Sequence, residues 1–238
     1  MKAIGIWVLL LLATLNSLSQ NRIPMLGESA PSFESNTTNG EFVFPEDYGN
    51  SWKILFSHPG DFTPVCTSEI MHLAKMQDEF AALGVKIAII STDDLSTHYQ
   101  WKQSMEESLR ESTGSGNIMF PIIADVNGLI SEKYGMLQSF ADPIQDVRGV
   151  FIIDPFNKVR SINFYPTNVG RNMEEIKRVV VALQTSEKDQ VLLPVNWNEG
   201  DDVLLRNPPY TEAELKNDPS LENHYYRTGM NLWYKKGK

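Results

Sequence analysis

Cysteine is almost missing from this sequence: one stands among 238 residues, at position 66. No disulfide can form within the chain, and an exported protein that leaves one cysteine unpaired presents a candidate reactive thiol. Positive charge is also scarce. Against 30 Asp and Glu there are 21 Lys and Arg, a net charge of −9, which argues against nucleic acid as a partner because phosphate binding needs a concentrated basic surface. The clustered Lys235, Lys236 and Lys238 read as a solvated C-terminal tail. The four histidines, His58, His72, His98 and His224, have no metal-ligand spacing, and no glycine-rich phosphate loop is present. No metal and no nucleotide cofactor is expected.

No apolar run reaches the roughly 20 residues that a membrane-crossing helix needs. What stands at the N-terminus is Lys2, an apolar stretch over residues 3–15, and small polar residues over 16–20. That order describes a secretory signal peptide over residues 1–20, so export to the periplasm or outside the cell is expected, with no stable membrane span. Asn36-Thr37-Thr38 matches the glycosylation sequon.

Beyond it, residues 24–40 read as a leader loop punctuated by Pro24, Gly27, Pro31 and Gly40. Apolar strand-like runs recur at residues 54–57, 85–91, 119–124, 150–153 and 159–164. Helical patterns fall between or after them at 68–83, 97–107, 128–134 and 172–184. Apolar strands alternating with amphipathic helices predict an α/β fold with a sheet flanked by helices. The four residues Asp154–Asn157 are too few for a parallel crossover, so the last two strands form a hairpin and the sheet is mixed. A main domain over 24–185 is expected, followed by a small C-terminal module over 186–238, broken by prolines and rich in aromatics such as Trp197, Tyr226 and Trp233.

The chemistry concentrates in His58-Pro59-Gly60-Asp61-Phe62-Thr63-Pro64-Val65-Cys66. Thr63 suits a helix N-cap and Pro64 the first helical position. Cys66 then falls in the first turn, where unpaired N–H groups and the helix dipole favour a thiolate. An ordinary thiol is only about 3% ionised at pH 7, and making it mostly ionised takes about 3 kcal/mol at about 1.36 per pKa unit. A helix terminus supplies at most about 2 kcal/mol, so a cation must help. Arg148 and Arg171 are the candidates, and spacing alone does not choose between them.

Pro59-x-x-x-Thr63-x-x-Cys66, set between Phe56-Ser57-His58 and Thr67-Ser68-Glu69, resembles the peroxidatic motif of peroxiredoxins. Arg148–Asp154 is similar to the strand that carries that family's active-site arginine. The stretch Tyr165-Pro166 to Arg171-Asn172 and Pro194-Val195-x-Trp197 resemble the one-cysteine subgroup with an added C-terminal domain. The resemblance implies a thioredoxin-like fold, a C-terminal module that dimerises, and thiol-dependent reduction of hydrogen peroxide and organic hydroperoxides. It implies that Cys66 attacks the peroxide, that Thr63 and Arg148 hold its oxygens, and that Pro59 shields the thiol. Glu69 would orient the arginines and Arg171 supply a second cation; His58 either lines the pocket or is structural. With no resolving cysteine, an external thiol of thioredoxin, glutathione or another small-thiol type must regenerate the enzyme. The subgroup's lipase-like G-x-S-x-G is matched only by Gly49-Asn50-Ser51-Trp52-Lys53, with Pro45 and Phe156 at its histidine and aspartate positions, so phospholipase activity is not expected. Two rival readings are a non-catalytic thioredoxin-like exported scaffold or holdase, and a thiol–disulfide oxidoreductase, which normally needs C-x-x-C.

Overall fold

The computed structural model describes residues 23–114, 116–138 and 143–237; the expected export segment lies outside them. The chain parts into two compact units at Arg171/Asn172. In the first, the elements run β1 (Phe33–Thr37), β2 (Gly40–Phe44), β3 (Trp52–Ser57), α1 (Pro64–Ala82), β4 (Val85–Ser91) and α2 (Leu95–Thr113). They continue as β5 (Ile122–Ala124), α3 (Leu129–Tyr134), β6 (Arg148–Ile153) and β7 (Val159–Tyr165).

A seven-stranded sheet has the order β2-β1-β5-β4-β3-β6-β7. Strands β3, β4 and β5 pair in parallel, and β6 joins β3 antiparallel, so the sheet is mixed as expected. The interior strands β3 and β6 are buried at every residue, which is why they read as continuous rather than alternating apolar runs. Helix α1 packs on β4, α2 on β5, and the two helices on each other. The expected hairpin is present: β6 and β7 pair antiparallel, and the Asp154 carboxylate holds the turn by accepting the amides of Phe156 and Lys158.

The leader loop expected over residues 24–40 is corrected: its second half folds as β1, half of a hairpin with β2. Phe33 and Thr37 turn inward from β1, as do Phe42 and Phe44 from β2. Phe33 stacks on Phe44 with ring centroids 5.3 Å apart. One of the inward positions is a threonine whose hydroxyl donates to Gly40 O, so a search for apolar runs passes over the strand. Two expected helices also shift in length. α1 begins at Pro64, and α2 runs from its Asp94 cap, which accepts the Thr97 amide, to a left-handed Gly114.

The second unit contains α4 (Met173–Asp189), β8 (Val203–Leu205), α5 (Glu212–Asn217), β9 (Tyr225–Thr228) and β10 (Leu232–Lys235). Helix α4, expected at the end of the first domain, thus falls in this unit. The three strands form an antiparallel sheet in the order β8-β10-β9. Across it Tyr226 and Tyr234 stack 4.9 Å apart. Trp197 is buried, and its carbonyl accepts from Arg178 of α4 at 2.7 Å. Among the described residues no helix is long and apolar enough to cross a membrane.

Candidate active site

Strand β3 ends at Ser57, and the loop from His58 to Thr63 delivers the chain to α1. Thr63 has the extended conformation of an N-cap and Pro64 takes the first helical position, as the sequence predicts. The capping hydrogen bond does not form. Thr63 Oγ1 instead donates backward to Gly60 O at 2.9 Å. The first-turn amides are therefore left unconsumed by a side-chain cap, and Cys66, at the third helical position, sits among them.

Cys66 is fully buried. Arg148, the first residue of β6, points Nη1 at Cys66 Sγ from 3.3 Å. Of the two arginines, Arg148 touches the sulfur, and Arg171 bonds the carboxylate that Arg148 also bonds. Glu69, one turn along α1 from Cys66, accepts from Arg148 Nη1 at 2.8 Å and from Arg171 Nη2 at 2.7 Å through Oε2. Its Oε1 accepts from the Arg171 amide and Nε at 2.6 and 3.0 Å. Arg148 is fixed at its other edge by Thr167 O, which accepts from Nε and Nη2. Arg171 Nη1 donates to Ser57 O and Gly149 O, and its guanidinium lies over the Phe56 ring. Burial weakens the hold of Arg171 on its proton, and Glu69 strengthens it.

Charge balance gives this network a direction. Two guanidiniums and one carboxylate, all buried, leave one uncompensated positive charge beside Cys66, which favours negative charge at that position. At an effective dielectric of about 20, unit charges at such a separation attract by roughly 5 kcal/mol before desolvation.

Pro59 and Thr63 line a cleft of about 690 Å³ together with Gly60, Asp93, Thr97 and Ile144. His58 is fully buried beside Trp101, with ring centroids 4.9 Å apart. Burial first, then His98, Arg171 and Arg148, hold its pKa well below the usual imidazole range, so it is neutral.

Two residues escaped the sequence reading. Ser57 Oγ donates to Val147 O and accepts from the Gly149 amide, clamping the chain on both sides of Arg148. Thr167 lies inside a quoted motif, but its carbonyl role has no side-chain signature. At the lipase-like stretch, Lys53 Nζ donates to the carbonyls of Gly49 and Ser51. Among the described residues no group of three or more His, Cys, Asp or Glu side chains is arranged to hold a metal ion.

The AhpC/TSA family model matches residues 26–162, and the model of the C-terminal domain of 1-Cys peroxiredoxin matches residues 182–217. A protein named peroxiredoxin from Methanosarcina mazei is 47% identical over 193 residues, covering 80% of this chain and 88% of the relative. Another from Treponema denticola is 44% identical, covering 82% and 91%. Among solved structures, a mutant of peroxiredoxin 6 of Arenicola marina superposes with a TM-score of 0.77 at 32% identity, over 90% of this chain and 98% of that one. A yeast mitochondrial 1-Cys peroxiredoxin, solved to explain thiol resolution via the glutathione and thioredoxin systems, gives 0.75 at 34% identity, over 90% and 100%. The chain belongs to the AhpC/TSA family of peroxiredoxins and is a thiol-dependent peroxidase.

Proposed function

We propose that Cys66 is the peroxidatic residue, that Thr63, Pro59 and Arg148 form the reacting pocket around it, and that Glu69 and Arg171 hold Arg148 in line. The observation that carries this reading is the 3.3 Å approach of Arg148 Nη1 to Cys66 Sγ, with Glu69 bonded to the same nitrogen. The Cys66 thiolate attacks one peroxide oxygen; the S–O bond forms as the O–O bond breaks. Arg148 stabilises the charge that develops on the departing oxygen, which leaves as water or alcohol after taking a proton. Because Thr63 Oγ1 donates to Gly60 O, its lone pairs are turned to accept the O–H of the bound peroxide.

Cys66 is left as a sulfenic acid, and the chain has no second cysteine to condense with it. An external thiol attacks the sulfenic sulfur, releasing water and leaving a mixed disulfide; a second thiol frees Cys66 and departs as a disulfide. Thioredoxin- or glutathione-type thiols fit this role, in keeping with the systems named for the yeast relative. The leader over residues 1–20 supports action outside the cytoplasm, and the aromatic second unit supports a homodimer.

Peroxide consumption with dithiothreitol, comparing the native chain with Cys66→Ser, tests the assignment. The variant should be inert, and undiminished turnover would refute it. Without thiol, each native subunit should consume about one equivalent of peroxide and stop, since the sulfenic acid has no internal partner.

A further inference from the structure

Beside the Cys66 loop lies a row of buried titratable groups that the reaction just described does not use. His98, on α2, is fully buried; its Nδ1 lies 2.7 Å from Asp61 Oδ2 and its Nε2 lies 3.2 Å from Ile123 O. The Asp61 side chain is 1% exposed, and its other oxygen lies 3.5 Å from Nε2 of buried His58. Valence then counts the protons. A backbone carbonyl only accepts, so a hydrogen bond between His98 Nε2 and Ile123 O puts a hydrogen on Nε2. A neutral imidazole has one N–H, which would leave a bare Nδ1 lone pair facing a carboxylate oxygen with no water between. With both contacts made as hydrogen bonds, one further proton lies there.

We propose that Asp61 and His98 hold a shared proton in the Nδ1–Oδ2 bond, and that this proton-bridged pair positions the loop from His58 to Thr63 for the Cys66 reaction. The inference rests on the peroxidase reading. Whether written as imidazolium–carboxylate or imidazole–carboxylic acid, the pair is neutral overall, which suits its burial. The loop needs holding: Phe62, the next residue, has a φ of 57°, a region disfavoured for a side chain of its size. The Asp61 amide is tied a second time, to Asp93 Oδ2 at 2.9 Å.

The groups facing the pair come from each neighbouring element. Burial raises the pKa of Asp61, and Asp93 and Asp94, before α2, add to that effect, while His98 opposes it. His58 faces the pair from the loop, and Arg148 and Arg171 act on His58 from β6 and the end of the first unit; both arginines are neutralised in part by Glu69. Removal of the shared proton by base leaves the Nδ1 lone pair facing a carboxylate oxygen, and the bridge breaks. The loop then loosens and the reaction with peroxide slows.

Nuclear magnetic resonance on chain labelled with ¹⁵N-histidine reads the proton count without using activity. At neutral pH His98 should show a protonated Nε2 and a strongly deshielded proton on the Nδ1 bond, both absent in His98→Gln. An unprotonated Nε2 overturns the pair. The kinetic arm uses Asp61→Asn, whose amide donates to the Nδ1 lone pair and keeps the bond with no titrating proton. That variant should react with peroxide within about threefold of the native rate at neutral pH and lose the alkaline decline, whereas Asp61→Ala should be about tenfold slower or worse throughout. Superimposable pH profiles for the native chain and Asp61→Asn, or a native rate for Asp61→Ala, overturn the positioning role. Absence of Cys66-dependent turnover in the native chain would overturn the peroxidase reading and the positioning role together, whereas the unprotonated Nε2 overturns only the pair.

Discussion

Arg148 and Arg171 are indistinguishable as sequence letters, and the structure divides their work. Arg148 spends one nitrogen on the sulfur and on Glu69 and two on the Thr167 carbonyl. Arg171 spends its donors on Glu69 and on the carbonyls that end β3 and begin β6. Arg148→Ala should therefore slow the peroxide reaction by about 10²-fold, the scale of losing one charge-stabilising donor; stopped-flow measurement of the first turnover checks this, and a near-native rate would assign the wrong arginine. Glu69→Gln should act mainly on stability, because it leaves two buried guanidiniums short of a counter-charge. A loss of about 3–5 kcal/mol, read from the urea midpoint, is the expected size. The motif made Cys66, Pro59 and Thr63 legible as candidates, and the helix-start chemistry put the thiol in the first turn. The Glu69 bridge was not derivable from spacing, since it joins residues 79 and 102 positions apart; only the family resemblance pointed to it. The Asp61–His98 bond left no trace in the pattern at all.

At the scale of elements, legibility followed burial. Strands β3 and β6 are enclosed on both faces and announce themselves as unbroken apolar runs. Strand β1 lies nearer the edge of the sheet and contributes Thr37 to its inward face, so polar residues masked it as a loop. The junction between β3 and β6 carries its own sensitivity. A methyl group at Gly149 would fall 2.9 Å from Ser57 Oγ and 3.1 Å from Met136 Cγ, so Gly149→Ala must displace the serine that clamps both sides of Arg148. Overpacking of this kind costs about 1–3 kcal/mol, and at about 2–4 °C per kcal/mol for a chain of this size the melting temperature should fall by several degrees. Activity should fall with it; an unchanged melting temperature would mean that β6 has slack the packing does not reveal.

For the whole molecule, the deepest consequence lies in the complete burial of Cys66. Peroxide is small enough to visit through a modest fluctuation, but a reductant must bring its own sulfur into bonding range of an atom with no outward face. Recycling therefore includes a step in which the protein opens, and that step knows nothing about which thiol is waiting. Such motions commonly limit turnover. Steady-state rates measured against rising concentrations of chemically different small thiols should climb with different slopes and level off at one common plateau. Plateaus that scale with the reactivity of each thiol would mean that the sulfenic acid is already within reach, and that no gate stands between the two halves of the cycle.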